Sequence, residues 1–154
     1  MLCREEDVDV LTYSGDVSPR EAATRFKAGV GSVLLGTSAN FGEGLDLPDG
    51  MAPVIFLLRP SYPSPRDPLA QFEERRYGGK RWQVWNWRVM IEALQVRGRN
   101  VRSADDQGVT IFVSQQFRRF LYASLPTWLR ESYRSELTLD DCRRESIELL
   151  GDQV

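Results

Sequence analysis

The fold is decided by the stretch from Val8 to Gly36, which reads VDVLTYSGDVSPREAATRFKAGVGSVLLG. Both ends of this stretch are short aliphatic runs of the kind that form β-strands. In its middle, Ser18 is a favourable N-cap, Pro19 suits the first helical position, and Gly29 suits the position just past a helix end. The order strand, helix, strand predicts a right-handed βαβ unit whose two strands are parallel.

Aliphatic runs recur further along the chain, and together they predict four strands, at residues 8–13, 32–36, 54–58 and 109–113. The last three runs are almost continuously apolar, which is typical of parallel strands covered on both faces. Helices are predicted over residues 18–29, 71–76, 82–102, 116–124 and 138–150. This pattern predicts an α/β fold of three layers, in which helices lie on both faces of a parallel sheet.

Composition narrows the class of protein. The 154 residues suffice for one domain with a sizeable core, and no apolar run approaches the roughly 20 residues that cross a bilayer. Two cysteines and no histidine argue against a disulfide framework, a zinc site or an iron–sulfur cluster. Residues 1–7 lack the apolar core of a signal peptide, so we expect a cytoplasmic protein without a metal site.

The net charge of −2 conceals a segregation along the chain. Residues 51–134 carry 14 basic and 7 acidic side chains, a balance of +7, whereas residues 1–50 and 135–154 are acidic. All basic residues except Lys27 and Lys80 are arginines, whose planar guanidinium suits phosphate oxygens. The middle of the chain is therefore a candidate surface for a polyanion, with a solvated arginine-rich face as the alternative.

A glycine-rich turn, residues 36–48, directly follows the second predicted strand and reads GTSANFGEGLDLP. Glycines allow a backbone to bend sharply and to approach a ligand closely. Candidate ligands for phosphate oxygens are Thr37, Ser38 and Asn40. Glu43 and Asp46 supply acceptors for a ribose, a cation or an arginine. The alternative is a plain connection between a strand and a helix.

An arginine segment, residues 95–102, reads QVRGRNVR and ends the longest predicted helix. Gln95, Arg99 and Arg102 are spaced i, i+4 and i+7, so they would share one helical face. Two guanidinium groups and an amide suit a triphosphate tail, and arginine fingers stabilise charge on a transferring phosphoryl group. Gly98 inside a helix costs about 1 kcal/mol relative to alanine, which favours a role in close packing or ligand approach. A solvated arginine face is the alternative.

A proline-rich loop, residues 59–68, follows the third predicted strand at the edge where α/β sheets usually place ligands. Candidates for base stacking near this edge are Phe41 and Tyr62. Trp87 and Trp128 are expected in the core, whereas Trp82, beside Lys80 and Arg81, fits core and base stacking equally. The stripe predicted to pack on the sheet is Trp87, Ile91, Leu94 and Val101.

Taken in order, these motifs resemble the second RecA-like motor domain of superfamily 2 DNA helicases of the XPD/DinG type. Gly36-Thr37 with Glu43-Gly44-Leu45-Asp46 is similar to motif V of that family. Gln95-x-x-Gly98-Arg99-x-x-Arg102 is similar to its motif VI. Further matches, in chain order, are Asp67-Pro68 in the proline-rich loop, Asp106-Gln107-Gly108 and Leu125-Pro126-x-Trp128. The resemblance covers residues 8–130.

The resemblance implies a RecA-like parallel sheet flanked by helices on both faces, lacking its first strand. Residues 1–135 would be the second RecA-like helicase domain with motifs V and VI. Residues 136–154 would form a C-terminal amphipathic helix and tail of the same domain. The chain would supply arginine fingers and part of a track for single-stranded DNA.

The resemblance also implies individual roles. Arg99 and Arg102 would be the arginine fingers and Gln95 a contact to the γ-phosphate. Residues coupling the nucleotide and DNA sites would be Glu43, Gly44, Asp46 and Gly98. Residues contacting single-stranded DNA would be Gly36, Thr37, Ser38, Asn40, Phe41, Tyr62 and Arg66.

These 154 residues contain no Gly-x-x-x-x-Gly-Lys-Ser/Thr loop and no Asp-Glu-Ala-His box. We therefore expect ATP and Mg²⁺ to bind only in the complete enzyme, with none bound by this chain alone and no ATPase activity. The expected partners are single-stranded DNA and a first RecA-like domain with Walker A and B motifs, in cis or on a separate chain. We expect no membrane partner, and a nucleoid-associated protein if the source is bacterial.

Two alternatives remain at this point. The chain could be a stand-alone nucleic-acid-binding or regulatory module that kept a helicase fold without motor activity. A nucleotide-binding enzyme of unrelated chemistry is disfavoured by the missing phosphate loop.

Overall fold

A computed structural model describes residues 8–41, 45, 47, 50–99, 101 and 106–151. The elements in these residues are β1 (Val10–Thr12), α1 (Pro19–Lys27), β2 (Val33–Leu35), α2 (Ser38–Phe41), β3 (Val54–Leu57), α3 (Pro68–Tyr77), α4 (Arg81–Arg97), β4 (Val109–Phe112), α5 (Gln115–Arg118), α6 (Leu121–Ser124), α7 (Thr127–Arg130) and α8 (Leu139–Leu150). A 3₁₀ turn, Gly78–Lys80, joins α3 to α4. The predicted α/β class is confirmed. None of the helices described is both long and apolar enough to cross a membrane.

The first βαβ unit forms as the sequence predicts. Strands β1 and β2 pair in parallel, with Leu11 opposite Leu34. The hydroxyl of Ser18 caps α1 by accepting the backbone N–H of Glu21 at 3.2 Å. The buried alanines of α1 are Ala22 and Ala23. Helix α1 contacts both strands, so this part of the structure is a strand pair with one helix across it.

The second parallel pair joins strands that are distant in sequence. Strands β3 and β4 pair with Phe56 opposite Ile111, and the chain between them runs through α3 and α4. In the part of the chain described, the four strands thus form two two-stranded parallel sheets. This arrangement is consistent with a partial RecA-like fold that lacks a strand.

Within the residues that the structure describes, one face of each strand pair is well covered and the other is not. Leu11 is buried in β1, and Leu57 and Phe112 pack against the main core. On the opposite faces, Leu35 and Phe56 are about half exposed. The prediction that apolar strands are covered on both faces is therefore wrong for these outer faces.

The main core lies around the middle of α4. Its buried members are Val89, Met90, Phe117, Phe120, Leu121, Leu125 and Leu129. The short helices α5, α6 and α7 each contribute to it, and the predicted helix 116–124 is divided into α5 and α6. Phe117 and Phe120 both lie in this core. Phe120 separates α5 from α6, because its backbone, with φ −137°, is not helical.

Helix α4 ends at Arg97, five residues before the predicted end. Gly98 caps it, because its N–H donates to the carbonyl of Leu94 at 3.0 Å. The N–H of Arg99 then bonds to the carbonyl of Val96 at 3.0 Å, a tighter turn than an α-helix makes. Gln95 is therefore helical and Arg99 is not, so the predicted single helical face for the arginine segment is wrong.

The buried face of α4 also differs from the predicted stripe. It consists of Trp85, Val89, Met90 and Ala93. Trp87 is 63% exposed and Trp128 is 68% exposed, so the expectation that both lie in the core is wrong. The indole N–H of Trp85 donates to the buried carboxylate of Glu73 at 2.9 Å, and this acceptor makes its burial possible.

The remaining boundaries follow local capping. Helix α3 begins at Pro68, three residues before the prediction, because Asp67 accepts the N–H of Leu69 at 2.9 Å. Helix α8 confirms its prediction. Thr138 and Asp141 form a capping box at its start, and Gly151 follows its end.

Candidate functional site

The carboxyl ends of β2 and β3 bring the glycine-rich turn and the proline-rich loop together. The hydroxyl oxygens of Ser38 and Ser61 lie 3.2 Å apart, within hydrogen-bonding distance. A shallow cleft opens beside this pair and reaches α4, and its polar lining includes Ser38, Arg59, Ser61 and Glu92. Hydroxyl, guanidinium and carboxylate groups therefore meet at the sheet edge where the sequence predicts a ligand.

Thr37 is the centre of a small polar network at this edge. Its hydroxyl lies 3.1 Å from the hydroxyl of Tyr13 and accepts the amide N–H of Asn40 at 3.2 Å. The hydrogen bond with Thr37 lowers the pKa of Tyr13 below its ordinary value of 10.0. The sequence analysis missed Tyr13. Strand register could have identified it. Thr12 pairs with Leu35 of β2, so Tyr13 follows the last pair of β1 just as the glycine-rich turn follows the last pair of β2.

Gly36 is required at its position by close packing. A Cβ atom there would overlap the ring of Phe41 and lie 2.9 Å from Cε1 of Tyr13. The rings of Phe41 and Tyr13 pack edge to face, with centroids 5.5 Å apart. Phe41 also packs against a smaller core cluster, defined by the buried residues Ala23, Leu45 and Leu47. The ring of Phe41 is therefore partly buried, and its role as a stacking residue stays a prediction.

Arg99 connects the arginine segment to the glycine-rich turn. Its guanidinium donates to the carbonyl of Leu45 at 3.3 Å, across 54 positions of sequence. The side chain is partly buried, whereas Gln95 is exposed on the last turn of α4. An arginine and an amide thus lie at one helix end, next to the turn that carries Thr37.

Four predicted site residues lie outside the described residues: Glu43, Gly44, Asp46 and Arg102. Gly98 is exposed, and a Cβ atom there would make ordinary contacts of 3.4 and 3.5 Å with two carbonyl oxygens. Close packing therefore does not require glycine at this position, and Gly98 serves as the cap of α4.

Arg97 lies in the same segment, and no role was predicted for it from the sequence. Its guanidinium lies 5.8 Å from the ring centre of Trp128. Burial lowers the pKa of Arg97 below its ordinary value. This cation–π contact joins the end of α4 to α7 and gives the exposed Trp128 a structural contact.

The proline-rich loop is held against α4 by Tyr62. Its hydroxyl donates to the side-chain carbonyl of Asn86 at 2.6 Å, and its ring packs edge to face with Trp82 at 5.6 Å. Burial raises the pKa of Tyr62 above its ordinary value. Tyr62 is thus engaged within the protein, whereas Arg66 on the same loop is exposed.

Within the residues that the structure describes, no group of three or more Asp, Glu, Cys or His side chains could hold a metal ion. The polar groups at the sheet edge include the hydroxyls of Ser38 and Ser61 and the guanidinium of Arg59, which can donate to phosphate oxygens.

A family model described as helicase C-terminal domain matches residues 2–132. Comparison with curated proteins found none that matches.

Proposed function

The chain belongs to the family of helicase C-terminal domains, and we propose that it is the second motor domain of an ATP-dependent DNA helicase of the XPD/DinG type. The ordered motifs in residues 36–48 and 95–102 support the narrower assignment. The observation that carries the proposal is the hydrogen bond from Arg99 to the carbonyl of Leu45. This bond brings the segment that resembles motif VI onto the turn that resembles motif V.

The nucleotide end of the proposed site consists of Gln95, Arg99 and Arg102. The exposed amide of Gln95 and the guanidinium of Arg99 lie at the same helix end and offer N–H donors, which fit the oxygens of a triphosphate tail. When bound, ATP supplies the γ-phosphoryl group whose hydrolysis drives a motor of this kind. Arg99 and Arg102 stabilise the charge that develops on that group, an effect worth roughly 10³–10⁵ in rate.

The remaining nucleotide contacts come from the first motor domain in this proposal. Its Walker A loop and acidic residues would hold the phosphates and Mg²⁺, since these 154 residues contain no Gly-x-x-x-x-Gly-Lys-Ser/Thr loop. The isolated chain is therefore expected to show no ATPase activity, with or without single-stranded DNA. A turnover assay on the purified chain tests this, and DNA-stimulated hydrolysis above background would contradict it.

The DNA end of the proposed site is the edge formed by the glycine-rich turn and the proline-rich loop. Thr37, Ser38 and Asn40 present hydroxyl and amide groups there, which suit phosphate oxygens of a single strand. Further proposed contacts are Gly36, Phe41, Tyr62 and Arg66. The proposed coupling residues are Glu43, Gly44 and Asp46 of the glycine-rich sequence, together with Gly98, which caps α4.

The decisive experiment uses the complete enzyme with Arg99→Ala and Arg99→Lys. Both variants are expected to lower ATPase activity by roughly 10³-fold or more, because lysine keeps the charge but loses the planar fork. Single-strand affinity is expected to stay within a few-fold. Arg143→Gln, on the exposed surface of α8, is the matched control and should change neither quantity. Equal loss of ATPase activity and DNA affinity in the Arg99 variants would refute the assignment.

The DNA edge has its own test on the purified chain. Binding of a labelled oligothymidine is expected to weaken as salt rises, with a slope of about −0.7 per phosphate neutralised. Arg66→Gln should make this slope shallower and Arg143→Gln should not. Binding that ignores salt would argue against a surface that follows phosphates.

A further inference from the structure

The corner between α3 and α4 carries a cluster of aromatic and basic side chains that extends beyond the proposed site, since Tyr62 belongs to both. We call it the aromatic corner and define it as Tyr62, Arg81, Trp82 and Trp85. The rings of Tyr62 and Trp85 pack edge to face against Trp82, with centroids 5.6 and 5.1 Å away. Despite these contacts Trp82 is 49% exposed, so its ring is held in position while about half of the residue stays open to solvent.

The charges around the aromatic corner favour an anionic ligand. Arg81 lies 5.5 Å from the ring centre of Trp82 and forms an ion pair with Glu74. Three cations that are close in sequence are also exposed: Arg75, Arg76 and Lys80. Among the residues that the structure describes, none of these three has a carboxylate partner. Exposed cations that are close in sequence to an exposed aromatic ring are a combination typical of surfaces that bind single-stranded nucleic acid.

The aromatic corner is continuous with the DNA edge. Ser38 of the glycine-rich turn lies within hydrogen-bonding distance of Ser61. The next residue, Tyr62, contacts Trp82 directly. A strand that follows the hydroxyl groups of this edge would therefore reach the ring of Trp82 by crossing only the proline-rich loop.

We propose that Trp82 is a base-stacking site for single-stranded DNA, with Arg75, Arg76 and Lys80 binding the adjoining phosphates. This inference rests on the proposed function and extends its DNA track from the sheet edge to the corner of α3 and α4. Trp87 makes an informative comparison, since it lies on the same helix and is more exposed. No ring contact fixes Trp87 in the described part of the chain, and an unfixed ring loses more conformational freedom when a base stacks on it.

The test is fluorescence anisotropy of the purified chain with a labelled oligothymidine at several salt concentrations. Trp82→Ala is expected to weaken binding roughly five- to tenfold, the lower end of what loss of one base–aromatic stack produces. Because stacking involves no counterion, the salt slope should not change. Lys80→Gln should instead make the slope shallower by about 0.7. Trp82→Leu keeps an apolar side chain between Tyr62 and Trp85 but has no π-face, so it should weaken binding as much as Trp82→Ala.

The matched control is Trp87→Leu, which should bind like the unsubstituted chain. Equal affinities for the Trp82→Leu and Trp87→Leu variants would overturn the stacking site while leaving the proposed function intact. If Trp82→Ala fails to fold, the Trp82→Leu comparison decides. If the unsubstituted chain shows no salt-dependent binding, both the stacking site and the proposed DNA edge are wrong.

Discussion

Replacing Gly36 by alanine is expected to lower the free energy of unfolding by about 2–3 kcal/mol. The reason is steric, because the new Cβ atom would overlap the ring of Phe41 and lie 2.9 Å from Cε1 of Tyr13. Carbon atoms in contact prefer separations of roughly 3.5–4.0 Å. Phe41 must therefore move, and its contact with Tyr13 moves with it.

The magnitude follows from two contributions. Overpacking by one methyl group typically costs about 1–3 kcal/mol. Displacing Phe41 also weakens its edge-to-face pair with Tyr13, an interaction worth roughly 0.5–1.5 kcal/mol. Phe41 is only partly buried and can relax toward solvent, so the total should fall in the lower half of the combined range, at about 2–3 kcal/mol. For a chain of this length, each kcal/mol corresponds to about 2–4 °C, so the thermal midpoint should fall by roughly 4–12 °C.

Thermal and urea unfolding followed by circular dichroism measure this change. Gly79→Ala is the matched control, because no atom lies within 4 Å of a Cβ built there. A double-mutant cycle identifies the cause. If Phe41→Ala removes the ring first, Gly36→Ala should cost much less, which gives a coupling of about 1 kcal/mol or more. A Gly36→Ala chain with an unchanged midpoint, or an equal cost in both backgrounds, would refute the reasoning.

Three further predictions concern titration and buried polar contacts. Hydrogen bonds from Thr138 lower the pKa of Asp141 from 3.8 to about 2. The contribution of Asp141 to stability is therefore present above pH 4 and is lost as the pH falls toward 2. Thr138→Ala should raise this pKa in an NMR titration, and an unchanged value would contradict the capping box. Thr37→Val should raise the pKa of Tyr13. Spectrophotometric titration measures this pKa, with a Tyr13→Phe chain as the reference. A titration curve identical to that of the unsubstituted chain would count against the hydrogen-bond network around Thr37. Glu73→Gln should lower the thermal midpoint, and Asp141→Gln should lower it less. Only the first variant removes a carboxylate that accepts hydrogen bonds from both a buried indole and an arginine. The reverse order in calorimetry would show that the buried carboxylate does not stabilise the α3–α4 packing.

Local chemistry made most of the fold predictable. The N-cap Ser18 and the capping residue Thr138 give α1 and α8 their starts, and the aliphatic runs give all four strands within two residues. These signals depend on neighbours in sequence, so they are visible without knowledge of the tertiary structure. Gly98 shows the limit of the same reasoning. When only the neighbouring residues are considered, this glycine is equally compatible with a helix interior and with a helix cap.

The choice among tryptophans could not be made locally. Trp85 and Trp87 are two positions apart on α4, and either could begin an apolar stripe. Trp85 is buried because Glu73, twelve residues earlier, accepts its indole N–H. The sequence does not reveal such a partner, since pairing of α3 with α4 depends on the turn between them. Tyr13 differs from Trp85: its partner Thr37 is also distant, 24 residues away, but the parallel pairing of β1 with β2 could have indicated it.

The contacts around Leu45 link the two ends of the proposed site. The carbonyl of Leu45 accepts from Arg99, while its side chain belongs to the small core cluster against which Phe41 packs. The ring of Phe41 in turn occupies the space that a Cβ atom at position 36 would fill. Gly36 is the residue directly before Thr37. These contacts form a continuous path of packed groups from Arg99 to Gly36, the residue before Thr37. We infer that glycine at position 36 keeps this path short, since any side chain there would separate the Phe41 ring from the backbone of the turn.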